Sequence, residues 1–209
     1  GTPCIVGNSA KVDVFNMWIE GCGGGCIQLL IGDGTHIGFP DPETTFKCRV
    51  YNNVIVDNNK FVSNPAITCR NSAPKAGGPA TPAAFKSELH VFGNTIVRHS
   101  GSTIKLEDCT SASTVENNVV SESGSVTAEA GTVRNNVTGN ASALFVDPTG
   151  TFLAGNINLH LAAAQVGSAV VKPTAGQLPI NWAANVNMPL DDFDHALRSA
   201  NSDKGAYEF

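Results

Sequence analysis

The sequence predicts an all-β chain wound as a solenoid of short parallel strands, on three observations. The first is composition: among 209 residues there are 21 Gly and 20 Asn and only 15% charged residues, and the Val, Asn, Gly and Thr that dominate favour strands and tight turns over helix interiors. The second is a recurring motif, an aliphatic residue, then Asn or Gly two positions on, usually a second Asn, and another apolar residue two positions later. The third is its spacing. Roughly 20 residues of strands and turns, with no helical pattern between, is the size of one solenoid coil, whereas about 10 would suggest hairpins.

The copies run in order along the chain. A degenerate one stands at Val14-Phe-Asn-Met17-Trp-Ile19, followed by Val56-Asp-Asn-Asn59-Lys-Phe61, Val91-Phe-Gly-Asn94-Thr-Ile96, Val115-Glu-Asn-Asn118-Val-Val120, Val133-Arg-Asn-Asn136-Val-Thr138 and Leu153-Ala-Gly-Asn156-Ile-Asn158. Val50-Tyr-Asn-Asn53-Val-Ile55 also fits, six residues before Asn59. Both cannot start a coil, and the Val56 register is preferred because Phe61 and Ile67/Cys69 then follow at the spacing of the other copies. Each copy leads through a turn into an alternating strand, with inward residues Ile27/Leu29, Ile67/Cys69, Ile104/Leu106, Val126/Ala128 and Leu144/Val146. Alternation turns Asp57, Phe92, Glu116 and Arg134 outward on the first strand, and Gln28, Thr68, Lys105, Thr127 and Phe145 outward on the second.

From Asn94 onward the intervals are 24, 18 and 20 residues; the earlier ones, 42 and 35, require inserted loops, placed near 32–47 and 70–88. Asn at a turn tolerates the left-handed backbone conformation, and its amide can bond the equivalent Asn one coil away. Asn59, Asn94, Asn118, Asn136 and Asn156 are therefore the expected ladder. Exposed turns rich in Asn would give the same pattern without one.

Charge and hydropathy exclude two partner classes. With 13 Lys+Arg against 18 Asp+Glu and a net charge of -5, the chain lacks the dense basic surface that nucleic acid requires. No apolar run reaches membrane-spanning length, so no membrane insertion is expected. Six cysteines, Cys4, Cys22, Cys26, Cys48, Cys69 and Cys109, point to disulfides or buried thiols rather than to zinc, because Cys22 and Cys26 have no evident partner pair. Neither a Gly-x-Ser-x-Gly elbow, a phosphate loop nor a His-Glu-x-x-His motif is present.

The Val-x-Asn-Asn-x-Ile/Phe coils resemble those of the right-handed parallel β-helix family that includes pectate-lyase-like polysaccharide lyases and many secreted bacterial proteins. The C-terminus carries the same resemblance: Asp191-Asp192-Phe193-Asp194-His195-Ala-Leu-Arg198, then Asp203-Lys204-Gly205-Ala206-Tyr207-Glu208-Phe209, is similar to the family's aspartate-rich turn, Arg and final Asp-Ile-Gly-Ala-x-Glu. His195 replaces the usual Gly and Lys204 the usual Ile. The resemblance implies a right-handed single-stranded parallel β-helix of about six to eight coils over residues 1–160, closed by an irregular C-terminal cap over 161–209. It also implies a secreted or cell-surface protein. Family enzymes are commonly longer and capped ahead of the first coil, so the start at Gly1 is read as the C-terminal portion of a longer protein. Otherwise the N-terminal end of the solenoid is covered by self-association.

On such a scaffold function sits on outward positions and inserted turns. Polysaccharide elimination needs a base and a cation to neutralise the uronate carboxylate; Arg98, His99, Lys105 and Glu107 fall within one coil and are the candidate catalytic set. Asp57, with His36, Asp41 and Lys47 of the first inserted loop, are the candidate substrate contacts. Ordinary solvated side chains would account for the same positions. Asp191, Asp192 and Asp194 offer hard oxygen ligands suited to Ca²⁺, or equally form a structural turn. The reading is a carbohydrate-active or carbohydrate-binding β-helix acting on acidic polysaccharide, with a non-catalytic structural or adhesive solenoid as the alternative.

Overall fold

In a computed structural model of the chain, residues 4–7, 11–22, 25–31, 45–56, 64–71, 86–99, 102–122, 124–162, 193–195 and 205–206 are described. The first coil comprises β1 (Ile5–Gly7), β2 (Lys11–Phe15) and β3 (Trp18–Glu20), and the second β4 (Ile27–Ile31), β5 (Thr45–Tyr51) and β6 (Val54–Val56). The third contains β7 (Ile67–Asn71), β8 (Lys86–Phe92) and β9 (Thr95–Val97). β10 (Ile104–Leu106), β11 (Thr114–Glu116) and β12 (Val119–Ser121) make the fourth, and β13 (Val126–Ala128), β14 (Thr132–Arg134) and β15 (Val137–Gly139) the fifth. The chain visits three five-stranded sheets in the same rotation each time, and every neighbour within them is parallel. This is a parallel β-helix. Among the described residues it has five coils, fewer than the six to eight expected.

Parallel register puts like residues on like. Ile5, Ile27, Ile67, Ile104 and Val126 align in the first sheet, Val14, Val50, Val91, Val115 and Val133 in the second, and Ile19, Ile55, Ile96, Val120 and Thr138 in the third. Apart from the exposed Val133 and Thr138 of the fifth coil, these columns form the central core, with Ile5 and Val126 partly buried against it, and β-branched side chains suit it because their stiff χ1 packs well on a pleated surface. Among the described residues the fifth coil has no such coil beyond it, and Val133 is 42% exposed. Both long inter-strand segments, after Ile31 and after Asn71, leave from the same corner, between the first and second sheets, in adjacent coils.

The corner between the second and third sheets carries two neighbouring columns that divide the work expected of one. Asn16, Asn52, Gly93, Asn117 and Asn135 take the left-handed conformation, with φ between 52° and 61°. The next residue in each of the second to fifth coils forms the ladder. Asn94 Oδ1 accepts from Asn53 N (3.1 Å) and Nδ2 (2.9 Å), Asn118 Oδ1 from Asn94 N (3.0 Å) and Nδ2 (2.9 Å), and Asn136 Oδ1 from Asn118 N (3.0 Å) and Nδ2 (2.8 Å). The second amide hydrogen reaches a strand carbonyl of the preceding coil, as in Asn94 Nδ2 to Val50 O (2.9 Å) and Asn118 Nδ2 to Val91 O (3.1 Å). At the first coil Met17 donates its backbone N–H to Asn53 Oδ1 (3.1 Å).

The ladder corrects the expected register at two places. Asn53, not Asn59, belongs to it: β5 pairs with β8 residue by residue, Val50 against Val91, which brings Asn53 opposite Asn94. Asn59 lies outside the described residues. Asn156 is not a rung either; it follows Gly155 in an exposed turn and its Oδ1 accepts from Thr151 N (3.0 Å).

After Gly139 the stacking ends. Asn140 caps a single helical turn, α1 (Ala141–Leu144), by accepting from Ser142 N, and β16 (Phe145–Asp147) pairs antiparallel with β17 (Asn158–Leu161). The change of partner reverses the expected phase: Phe145 is buried and Val146 is 60% exposed. Phe145, Leu144, Leu159, Leu161 and Ala206 cover Val54, Val56, Val97 and Val119 on the outer face of the third sheet, forming a second apolar cluster. Gly205 and Ala206, near the C-terminus, lie directly on that sheet: Gly205 N donates to Asn117 O (2.7 Å) and Ala206 N to Thr95 Oγ1 (2.8 Å). A Cβ at Gly205 would approach Thr95 Oγ1 and Val119 Cγ2 to 2.8 Å, and its φ is 88°.

Asn118→Ala removes the acceptor of two N–H groups of Asn94 in a fully buried setting. A loss of about 3 kcal/mol is expected, since each orphaned buried polar group costs roughly 1–3 kcal/mol. Urea unfolding measures it.

Candidate functional site

The outer face of the third sheet is covered by the C-terminal segment except beside Trp18, where a cleft of about 520 Å³ opens. Trp18 is the outward residue at the start of β3, in the column of Val54, Thr95, Val119 and Val137. The turn joining β16 to β17 brings Phe152 against it, ring centroids 4.9 Å apart, and Phe193 meets the indole edge-on at 6.2 Å. Glu20 fastens the pair: its Oε2 accepts from Trp18 Nε1 and from Phe152 N, each at 3.2 Å. The rim is polar. Asn156, Asn158, His160 and Asp194 line it, with His160 Nε2 and Asp194 Oδ2 3.1 Å apart.

The turn that carries Phe152 is held from several sides. Arg98 Nη1 donates to Pro148 O, and Nη2 to Gly150 O at 2.7 Å. Asp147 Oδ1 accepts from Thr149 Oγ1 (2.6 Å) and N (3.1 Å), which hold its carboxyl below the usual carboxylate range. Gly150, at φ 89°, is required, because a Cβ there would come within 2.3 Å of Asn156 Oδ1. Phe152 remains 58% exposed.

A second polar surface is the outer face of the second sheet. Arg49 makes a two-point ion pair with Asp13, with Nε to Oδ1 at 2.8 Å. Glu88 accepts from Lys47 Nζ (3.3 Å) and lies 3.2 Å from His90 Nε2, while His90 Nδ1 meets Thr114 Oγ1 at 3.0 Å. Burial pushes the Glu88 carboxyl up, but the His90 and Lys47 hydrogen bonds outweigh it and bring it below its ordinary value. Phe15, Tyr51 and Phe92 stack nearly parallel at 5.0 and 5.2 Å, and the same column continues as Glu116 and Arg134, bonded at 2.6 Å. Phe92 and Glu116, the expected outward positions, are each 1% exposed. Every charged group named here is matched within the face.

The candidate catalytic residues are dispersed. Lys105 and Glu107 form an ion pair on the first sheet's outer face, beside an open depression of about 550 Å³ shared with Asp108 and Glu129. Arg98 clamps the Phe152 turn. His99 is buried, with Nε2 2.9 Å from Ser102 O. Neither Arg98 nor His99 lines the depression. Lys47, expected in the inserted loop, is a strand residue of β5. His36, Asp41, Asp57, Asp191 and Asp192 lie outside the described residues. Asp194 reaches the cleft, paired with His160.

The chain matches no protein-family model, no curated protein and no solved structure. Among the described residues no group of three or more His, Cys, Asp or Glu is placed to hold a metal, and no helix is long and apolar enough to cross a membrane. In the sequence Trp18 stands only as part of the degenerate first copy of the motif, and Phe152, Phe193, His160 and Glu20 carry no signal of their own, because they meet it only through the tertiary return of the C-terminal segment. Sequence reasoning also missed Asp13, Arg49, Glu88 and His90. Alternation along β2, β5 and β8 was the signal that could have aligned them.

The cysteines resolve into one disulfide, Cys4–Cys22, and four buried thiols, Cys26, Cys48, Cys69 and Cys109. Burial pushes Cys26 up to about 12 and Cys48 to about 11. Since the thiolate is the nucleophile, the native protein at pH near 8 is expected to react negligibly with an aromatic disulfide reagent, and to release four equivalents when unfolded without reductant.

Proposed function

We propose that this protein is an exported, carbohydrate-binding β-helix of the polysaccharide-lyase-like kind that its coil and C-terminal motifs resemble, and that it takes a sugar in the cleft beside Trp18. One observation carries the reading: the Trp18, Phe152 and Phe193 rings converge in a cleft whose rim bears side-chain amides, an imidazole and a carboxylate. Sugar rings present an apolar C–H face and a polar edge of hydroxyls, so an aromatic wall with a polar rim matches both. The proposed activity is binding rather than elimination. Lys105 is paired with Glu107 and Arg98 with two carbonyls, so the charge of each cation is already met by this chain's own groups before a uronate arrives.

Phe152→Ala removes an exposed wall and little core. It is expected to weaken binding to a responsive oligosaccharide at least about tenfold, or some 1.4 kcal/mol, with unchanged far-ultraviolet circular dichroism; titration calorimetry reads it. Unaltered affinity would overturn the cleft as the site.

A structural or adhesive solenoid is the second reading, favoured by the fifth coil, where Val133 and all of β14 are exposed and β14 is the edge strand of its sheet among the described residues. It predicts a concentration-dependent dimer or larger species in light scattering, dispersed by Val133→Lys.

A further inference from the structure

Taking the preceding assignment of the cleft as its basis, we infer that the site selects uncharged sugar rings, a neutral hexose, pentose or N-acetylhexosamine, over uronates. The charges beside the aromatic wall are negative. Glu20 sits at the Trp18–Phe152 pair, its Oε2 accepting from the indole N–H of Trp18 and the backbone N–H of Phe152, each at 3.2 Å, and Asp194 stands on the rim. No Lys or Arg lines the cleft among the described residues. The imidazole of His160 is already directed to Asp194 at 3.1 Å. Arg98 points its guanidinium at Pro148 O and Gly150 O, where it shapes the turn.

A uronate carboxylate entering this space would approach the Glu20 and Asp194 carboxylates with no Lys or Arg among the described lining residues to meet it. The repulsion is felt over several ångströms, and the apolar ring wall reduces its screening by water. A neutral ring escapes it. Asn156 and Asn158 supply what such a ring needs: Asn156 Oδ1 accepts from Thr151 N and Asn158 Oδ1 from His160 N, each at 3.0 Å, which orients both amides with their NH₂ groups left to donate. Hydroxyl and acetamido oxygens accept such donors. The exposed face of Phe152 takes the C–H face of the ring.

The test is calorimetric binding of the full chain to two sets of hexasaccharides at neutral pH. One set is neutral, from xylan, cellulose and chitin; the other is acidic, from polygalacturonate and polymannuronate. At least one neutral ligand is expected to bind about tenfold or more tighter than either acidic one, and Glu20→Gln combined with Asp194→Asn to narrow that gap in a variant whose circular dichroism is unchanged. Acidic ligands binding as well as neutral ones, through Phe152, would overturn the selectivity while leaving the site standing. A gap untouched by the double variant would overturn its electrostatic cause. Binding to neither set would overturn the site and the inference together.

Discussion

A coil of this protein buries its aliphatic side chains only by lying on another coil with matching residues turned inward, and the asparagine ladder fixes that match. Strand pairing alone tolerates slippage, because any parallel register satisfies backbone groups. The rungs at Asn53, Asn94, Asn118 and Asn136 do not: the amide oxygens of Asn94, Asn118 and Asn136 each take two N–H groups and that of Asn53 one, and every NH₂ reaches a strand carbonyl of the preceding coil. A shift of one residue would leave these groups buried and unbonded and would turn every Val and Ile column outward. The left-handed Asn or Gly immediately before each rung bends the chain so that the rung points along the stack. The ladder and the corner are two parts of one device.

The third sheet is apolar on both faces, and this governs the C-terminal segment. Val54, Val56, Val97 and Val119 need a cover that no further coil can give, because stacking adds coils at the ends and not on the sides. The β16–β17 hairpin, α1 and the docked Gly205-Ala206 supply it. Trp18, at the edge of the same sheet, is covered incompletely, so the candidate site arises where the lateral packing runs out. Its walls thus come from distant parts of the chain, held by Glu20 from the solenoid and Arg98 from the third coil.

Much of the solenoid was legible in the sequence because its physics repeats. The Val91, Val115 and Val133 copies each present an inward Val and, three positions on, a ladder Asn preceded by Gly or Asn, and the inward strands Ile27/Leu29, Ile67/Cys69, Ile104/Leu106 and Val126/Ala128 pack in or against the core as alternation predicted. Register around Asn53 and Asn59 was not legible, since two motifs six residues apart satisfy the same local pattern and only the long pairing of β5 with β8 decides between them. Asn156 and Phe145 failed for a related reason. They extend the periodicity in sequence after the coils have stopped in space. The site was the least legible part, since Phe152, His160 and Phe193 belong to a non-repeating segment and acquire meaning only through Trp18.

The ladder also has a direction. In every rung the side-chain carbonyl of one coil faces the coil before it, from Asn136 back towards Met17, so four amide dipoles add head to tail along the axis instead of cancelling. The two ends of the stack are therefore electrically unlike: the oxygen end is buried against Met17, while at the other the Asn136 amide ends the column in the fifth coil. Reversing one coil end for end would fail on polarity even if its aliphatic side chains fitted, which makes the protein a vectorial rod rather than a symmetric one.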